Sequence, residues 1–208
     1  MTTDYLAISQ TIPGWRGIPE SMAIWEACLN LDADAVVVEI GVFLGRSTAL
    51  MAGARKLRGS GTVHCVDPFD CSGDAFSIPY YLAILQKEGG GNLREHFDKY
   101  MQKANLQDWI KIHQSTAQEL ALSWGTPVDL LLLDGDQSPR GALEAYQAWI
   151  PHLRPGGVLV VGNAPADGAR SEGHDGNCRV AKTCVIQPYF YDIRQVGSTL
   201  FARKAKRL

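Results

Sequence analysis

Three apolar runs in this sequence carry an acidic residue at their end, and this arrangement limits the possible folds more than any other feature. The runs VVVEI, TVHCVD and VDLLLLD place Glu39, Asp67 and Asp134 at these ends. Continuous runs of β-branched residues and leucine are typical of strands buried on both faces of a parallel sheet. Because ligands of such sheets bind outside the carboxyl ends of the strands, we expect the three carboxyl groups to lie at one ligand-binding edge.

The rest of the chain alternates helical and strand patterns around these runs. Helices are expected at about 20–31, 45–57, 79–88, 92–103 and 138–152, and further strands at 109–113, 157–161 and on both sides of a turn at Gly197-Ser198. The sequence therefore predicts an α/β fold: a doubly wound, Rossmann-like sheet, mostly parallel, with an antiparallel C-terminal hairpin strand. We expect one domain over 1–208, with an N-terminal helical segment (1–33) before a Rossmann-like core (34–208).

Composition narrows the function classes. The net charge of −2 gives no electrostatic reason to expect a nucleic-acid partner. No apolar run reaches the length of a membrane span, and the polar start MTTDYLAISQ lacks the apolar core of a signal peptide. The five cysteines form no CxxC pair, which suits reduced thiols. We therefore expect a cytoplasmic protein without membrane or nucleic-acid partners; homo-oligomerisation stays open.

The stretch VVVEIGVFLGRSTALMA (36–52) predicts a strand, a tight turn and a helix. Gly41 allows a sharp turn after the strand, and Gly45 allows a ligand to approach the start of the helix. A carboxylate at Glu39, just before the turn, disfavours a pyrophosphate and suits a ligand with an ammonium or sulfonium group. The alternative is that the two glycines only form a tight strand-to-helix turn.

Asp67 favours the ligand-binding interpretation. An acid at the end of the second strand of such folds hydrogen-bonds ribose hydroxyls. A nucleoside with a cationic appendage describes S-adenosylmethionine, so the residues point to this cofactor.

Four motifs in order give the chain a resemblance to a known family. They are ExGxxxGxS at 39–47, Asp67, VDLLLLDGDQS at 128–138 and HLRPGGVLVV at 152–161. Together they resemble a class I S-adenosylmethionine-dependent methyltransferase, most closely the macrocin and antibiotic-sugar O-methyltransferases and more distantly the catechol O-methyltransferase type. The resemblance implies a cofactor site that includes Glu39, Gly41, Phe43, Gly45, Ser47, Asp67, Ser115 and Asp134, with Ser115 near the adenine.

The resemblance also implies roles for the DGDQ motif. Asp134 would bind Mg²⁺ and take part in catalysis, and Asp136 would be the general base for an acceptor hydroxyl. Mg²⁺ prefers hard oxygen ligands and lowers the pKa of a bound hydroxyl, which agrees with these roles. The alternative for Asp136 or Ser138 is a helix N-cap.

Two positions depart from the family pattern. Gly162-Asn163 stands where the family has an acidic pair that binds the metal, and Gln137 stands where it has histidine. Asn163 still offers an oxygen ligand beside Asp134. Either Mg²⁺ is held more weakly, helped by Asp167, or no metal binds.

The predicted function is transfer of a methyl group from S-adenosylmethionine to a hydroxyl of a small molecule, with or without Mg²⁺. One alternative is an S-adenosylmethionine-binding protein with lost or altered catalysis, suggested by the two departures. Another is an NAD-dependent oxidoreductase, which the glycine spacing disfavours because Phe43 stands where GxGxxG requires glycine.

Two further expectations concern side chains outside these motifs. His174 lies in the long polar loop 163–176, where we expect exposure to solvent. The aromatic residues Trp15, Trp25 and Trp149 are expected in the core.

Overall fold

The computed structural model describes residues 3–206, in which seven strands form one sheet. In chain order the strands are β1 (Val36–Ile40), β2 (Thr62–Val66), β3 (Ile110–His113), β4 (Val128–Leu133), β5 (Leu153–Val161), β6 (Phe190–Val196) and β7 (Thr199–Lys204). Their spatial order is β3-β2-β1-β4-β5-β7-β6. The first five strands pair in parallel, and β7 pairs antiparallel with both β5 and β6. This confirms the predicted fold class.

Helices cover both faces of the sheet. They are α1 (Tyr5–Thr11), α2 (Ile18–Leu29), α3 (Arg46–Arg58), α4 (Ile78–Lys87), α5 (Leu93–Lys103), α6 (Ala117–Ala121), α7 (Pro139–Trp149) and α8 (Gly176–Thr183). Buried side chains of α1, α2, α3 and α5 share one core cluster with one face of the sheet. Those of α6, α7 and α8 belong to a second cluster on the other face.

The apolar runs form the centre of the sheet because both of their faces are covered. Neighbouring residues of a strand point to opposite faces, and Val37 belongs to the first cluster whereas Val38 belongs to the second. Leu130 and Leu131 divide in the same way, and all four side chains are fully buried. Burial on both faces is what a continuous apolar run predicts.

The strand order reverses between β1 and β4, and this creates a crevice. From β1 the chain passes through α3 to β2 on one side, whereas β4 lies on the other side of β1. In open α/β sheets, ligands bind at such a switch point, outside the carboxyl ends of the strands. Glu39, Asp67 and Asp134 all lie at this edge.

Some elements differ from the sequence-based prediction. Helices α1, α6 and α8 were not predicted, because each has eight residues or fewer and shows too few buried positions for a helical period. Strand β5 begins at Leu153, four residues earlier than predicted, with an irregular register opposite Val128 and Leu130. Within residues 3–206, every helix is too short or too polar to cross a membrane.

Candidate functional site

A cavity of about 830 Å³ opens at the carboxyl ends of β1, β2 and β4. This volume lies in the range of small-molecule sites. Most of the predicted site residues line it, namely Glu39, Gly41, Phe43, Ser47, Asp67, Asp134, Asp136 and Asn163. The cavity also takes in residues from the N-terminal segment and from the two polar loops after β2 and β5.

Glu39 is a buried carboxyl group in the floor of this cavity, with 1% of its surface exposed. Its Oε2 accepts a hydrogen bond of 2.5 Å from the hydroxyl of Thr48, which lies on α3. Burial raises the pKa of Glu39 to about 8, and the nearby carboxylates of Asp134 and Asp67 add to this effect, while Thr48 and Arg16 oppose it. A cationic ligand beside Glu39 would favour its charged form.

The turn after β1 requires glycine at Gly41. Its φ is +82°, and a Cβ there would lie 2.7 Å from the backbone nitrogen of Gly135, so the loops after β1 and β4 meet closely at this point. Gly45 has a φ of +91° and begins α3, but it faces Phe97 and Met101 and is not among the residues that line the cavity. Gly45 therefore shapes the turn from the side that faces away from the cavity.

Asp67 holds the same turn from the neighbouring strand. Its Oδ2 accepts hydrogen bonds from the backbone N–H groups of Val42 (2.9 Å) and Phe43 (3.1 Å), and its Oδ1 accepts one from Phe69 (2.7 Å). Burial raises the pKa of Asp67, and the three backbone hydrogen bonds oppose this rise. Asp67 thus joins the loops after β1 and β2 while it lines the cavity.

Arg16 pairs with Asp134, a contact that the sequence did not reveal. Its guanidinium donates to Asp134 Oδ2 (2.5 Å), to the Ser47 hydroxyl (3.0 Å) and to the Thr199 hydroxyl (2.7 Å). The Arg16 side chain is 7% exposed and that of Asp134 is 28% exposed. The pKa of Asp134 is raised because burial outweighs the attraction of Arg16. Arg16 therefore supplies the positive charge beside this carboxylate.

The N-terminal segment that carries Arg16 is held over the turn after β1. Arg46, at the start of α3, donates to the backbone oxygen of Gly14 (2.6 Å) and to the side-chain oxygen of Gln10. Trp15 is 61% exposed and lines the cavity, so the expectation that it lies in the core is wrong. Its ring contacts those of Phe43 and Tyr81, with centroids 5.4 and 5.6 Å away.

The residues predicted to bind Mg²⁺ are arranged for other contacts. Asp134 is already paired with Arg16, and its Oδ1 also accepts from the side-chain amide of Gln137 (3.4 Å). A Cβ at Gly162 would lie 2.5 Å from Asp134 Cγ, so Asp134 fills the space beside Gly162. Asn163 turns its amide nitrogen toward Gln137. In the part of the chain that the structure describes, no cluster of three acidic, histidine or cysteine side chains suits a metal ion.

Asp136 lies in the turn that precedes α7 and is exposed. Its Oδ1 accepts a hydrogen bond from the backbone N–H of Ser138 (2.8 Å), and its side chain lies against Gly141. The Ser138 hydroxyl in turn caps α7 by accepting from Gly141 (3.0 Å). Asp136 thus combines a position in the cavity wall with a local structural role.

Ser115 lies just outside the cavity. Its hydroxyl group donates to Glu119 (3.3 Å) and to the backbone oxygen of Thr116 (3.2 Å). The next residues, Thr116, Ala117 and Gln118, line the cavity instead.

His174 lines the cavity and is only 12% exposed, so the expectation that solvent surrounds it is wrong. Its Nδ1 lies 3.0 Å from Oδ1 of Asp74, and its Nε2 lies 3.0 Å from Nδ2 of Asn163. Asp74 belongs to the loop after β2, so His174 joins the two polar loops that border the site. No motif in the sequence marks this pair.

Comparison with known families identifies the domain. A family profile described as "Methyltransferase domain" matches residues 38–164, from β1 to just past β5. The matched segment contains Glu39, Asp67, Asp134 and Asn163, and it covers more than half of the chain.

Solved structures share the fold at low sequence identity. TomG of Streptomyces achromogenes, an O-methyltransferase involved in tomaymycin synthesis and solved in complex with SAM, is 16% identical, with a TM-score of 0.66 over 98% of this chain and 91% of that one. The O-methyltransferase of Bacillus cereus in complex with SAH is 16% identical, with a TM-score of 0.63 over 96% and 89% of the two chains. Cofactor-bound Rv0187 from MTB is 18% identical, with a TM-score of 0.67 over 98% and 88%.

Proposed function

This chain belongs to the methyltransferase domain family, and we propose that it transfers the methyl group of S-adenosylmethionine to a hydroxyl of a small molecule. The observation that carries this proposal is the placement of Glu39 in β1 and of Asp67 directly after the adjacent strand β2, both lining one cavity at the turn of Gly41. The O-methyltransferases named above, solved with SAM or SAH on the same fold, support it.

The cavity residues fit a cationic nucleoside. Glu39 is a buried carboxyl group that accepts one hydrogen bond from the described residues, from Thr48, so it has room to accept from the ammonium group of the cofactor. Asp67 retains acceptor capacity on Oδ1 for a ribose hydroxyl. Phe43, Ser47 and the segment from Ser115 to Gln118 would complete the site, the last near the adenine. When bound, S-adenosylmethionine supplies an electrophilic methyl group on a sulfonium ion.

The protein's task in this reaction is alignment and proton removal. The walls must direct the acceptor oxygen at the methyl carbon, and a basic side chain must take the hydroxyl proton. Asp136 lines the cavity and is one such candidate. The acceptor is proposed to be a small molecule because the cavity volume of about 830 Å³ lies in the range of small-molecule sites.

We propose that methyl transfer needs no Mg²⁺, because the donor set does not fit this ion. Mg²⁺ requires near-octahedral oxygen ligands, whereas the Asp134 carboxylate is bound by a guanidinium and an amide N–H. Activity should be equal with added Mg²⁺ and with EDTA. Loss of activity in EDTA that Mg²⁺ restores would overturn this part of the proposal.

Titration calorimetry with S-adenosylmethionine tests the function itself. We expect saturable binding at one site, and release of S-adenosylhomocysteine with a suitable acceptor. A folded protein that fails to bind S-adenosylmethionine would sink the proposal. Binding without turnover on any hydroxyl acceptor would favour the alternative of lost catalysis, and a change in NADH fluorescence on mixing would favour an oxidoreductase.

The cellular compartment and the oligomeric state also remain proposals. The five cysteines are all free, which supports a reducing compartment such as the cytoplasm. Association into a homo-oligomer is tested by sedimentation of the purified protein.

A further inference from the structure

The loop between β5 and α8 brings an imidazole into the wall of the cavity, where it forms a pair with a buried carboxylate. His174 Nδ1 lies 3.0 Å from Asp74 Oδ1, and the Asp74 side chain is 1% exposed. The two residues are 100 positions apart in the chain. This pair is separate from the acidic residues of the three strand ends.

The hydrogen bonds of Asp74 indicate that Nδ1 of His174 carries a proton. The Asp74 carboxylate accepts hydrogen bonds from the Ser77 hydroxyl (2.7 Å) and from the backbone N–H groups of Phe76 (3.1 Å) and Ser77 (3.0 Å). Burial raises the pKa of Asp74, but the hydrogen bonds from Ser77 and His174 outweigh it, so the pKa is lowered overall. An ionised carboxylate can only accept. His174 must therefore donate from Nδ1.

The other side of the imidazole is set by a chain of amides. The Gln137 amide nitrogen faces two acceptors, the backbone oxygen of Gly135 (3.1 Å) and Oδ1 of Asp134 (3.4 Å), so Gln137 turns its oxygen toward Asn163. Asn163 consequently presents its NH₂ group to that oxygen (3.4 Å) and to His174 Nε2 (3.0 Å). Asp74 on one side and the two amides on the other thus indicate the same tautomer of His174: Nδ1 carries the proton, and Nε2 carries a lone pair.

Resting on the proposed function, we propose that His174 is the general base that deprotonates the acceptor hydroxyl, and that Asp74 is its positioning residue. The acceptor oxygen forms a bond to the methyl carbon, and the carbon–sulfur bond breaks with its electron pair going to sulfur. The hydroxyl proton moves to Nε2. Asp74 then stabilises the imidazolium, which returns its proton to solvent.

An acceptor hydroxyl that reaches His174 Nε2 must replace the hydrogen bond from the Asn163 amide. The Asn163 amide now points at Nε2, but it has a second acceptor in Gln137 Oε1. A hydroxyl that displaces Asn163 from His174 therefore leaves its amide hydrogen-bonded. The amide hydrogen that faced Nε2 can then donate to the oxygen of the incoming hydroxyl, so the exchange avoids the cost of an unpaired donor.

The position of His174 also bears on the lack of a histidine at position 137. The sequence has glutamine where the resembled family has histidine, so position 137 supplies no imidazole. His174 reaches the same neighbourhood from another loop, and the Asn163 amide lies between the two side chains. Asp136 is the competing base, but its carboxylate caps the backbone at Ser138, and an imidazole is the better proton acceptor near neutral pH.

The first test is the tautomer of His174, which needs neither cofactor nor acceptor. Two-bond ¹⁵N–¹H correlation spectra distinguish Nδ1–H from Nε2–H, and the His174→Ala variant assigns the signals. We expect Nδ1–H in the wild type and a shift toward Nε2–H in Asp74→Asn. A wild-type protein with Nε2–H would overturn the proposal, because that nitrogen cannot accept a proton.

The second test is turnover, measured as release of S-adenosylhomocysteine with catechol, phenol and methyl glucoside as probe acceptors. On any probe that the wild type methylates, His174→Ala should lower kcat roughly 100-fold or more, with unchanged affinity for S-adenosylmethionine by calorimetry. Added imidazole should restore part of the rate, which a merely structural role would not allow. Asp74→Asn should lower kcat more than it changes KM.

The matched control is His152→Gln, since His152 contacts Trp149 away from the cavity and should leave turnover unchanged. If His174→Ala retains full turnover while Asp136→Asn loses it, the base is Asp136 and the proposal is wrong. Failure of the wild type to bind S-adenosylmethionine would instead refute the proposed function. The tautomer measurement decides the state of His174 in either case.

Discussion

The carboxyl group of Asp134 fills the space that a side chain at Gly162 would need. A Cβ built on Gly162 lies 2.5 Å from Asp134 Cγ, and Asp134 is held in this place by Arg16 and Gln137. The absence of an acid at position 162 and the orientation of Asp134 therefore belong together. A carboxylate cannot simply be added at 162 to rebuild a metal site.

Gly162→Ala should lower the free energy of unfolding by roughly 1–3 kcal/mol, because the new methyl group forces Asp134 away from its partners. Gly162→Asp should lose at least as much and gain no Mg²⁺ affinity. Urea unfolding and calorimetry with Mg²⁺ check both. Gly125→Ala is the matched control, since a Cβ there meets no neighbour within 4 Å. Tight Mg²⁺ binding by Gly162→Asp would contradict the prediction.

Arg16→Met should lower the free energy of unfolding by about 1.5–3 kcal/mol, the range for hydrogen bonds to charged groups. It leaves Asp134 without a cation and removes the hydrogen bonds to Ser47 and Thr199. Adding Asp134→Asn should cost less than the sum of the single changes, because the two residues are directly coupled. Strictly additive losses in urea unfolding would show that the pair is not coupled.

Glu39 makes stability and cofactor binding depend on pH. Its pKa is raised from 4.5 to about 8, so between these values the folded protein holds a proton that the unfolded chain releases. This contribution to stability is therefore largest below about pH 5 and is lost as the pH rises toward 8. Relative to the wild type, Glu39→Gln should become steadily more stable over this range and level off above it.

Binding of S-adenosylmethionine should release a proton near pH 7, because the ammonium group favours the Glu39 carboxylate. Calorimetry in buffers of different ionisation enthalpy measures this release. Glu39→Gln should abolish it and weaken binding roughly tenfold or more, the loss expected for one charge-assisted hydrogen bond. Proton release that persists in Glu39→Gln would assign it to another group.

Asp67→Asn should weaken both the fold and cofactor binding. The carboxylate accepts from three backbone N–H groups, and an amide nitrogen in place of one oxygen would face donors on its side. We expect a loss of about 1–3 kcal/mol in the free energy of unfolding and a weaker affinity for S-adenosylmethionine. Asp70→Asn is the control: Asp70 is exposed and keeps its acceptor for Ser72, so stability should change by less than about 0.5 kcal/mol.

The central strands and their acidic ends were predictable because a strand that is buried on both faces has a continuous run of apolar residues, which is visible in the sequence. A run such as VDLLLLD indicates a strand that is covered on both faces of a parallel sheet, and a glycine after a strand indicates a turn. Short helices give a weaker hydrophobic pattern in the sequence. α8 buries only a few side chains over eight residues, so its sequence does not differ clearly from a polar loop.

The sheet, its ligand-binding edge and the presence of Glu39, Asp67 and Asp134 at that edge could all be predicted from the sequence. The partners of these groups became visible only in the folded protein. Arg16 reaches Asp134 across 118 positions and His174 reaches Asp74 across 100. Periodicity reports on neighbours along the chain, whereas these contacts depend on how separate loops pack over the same edge. For that reason the carboxylates were visible in the sequence, and the cation and the imidazole beside them were not.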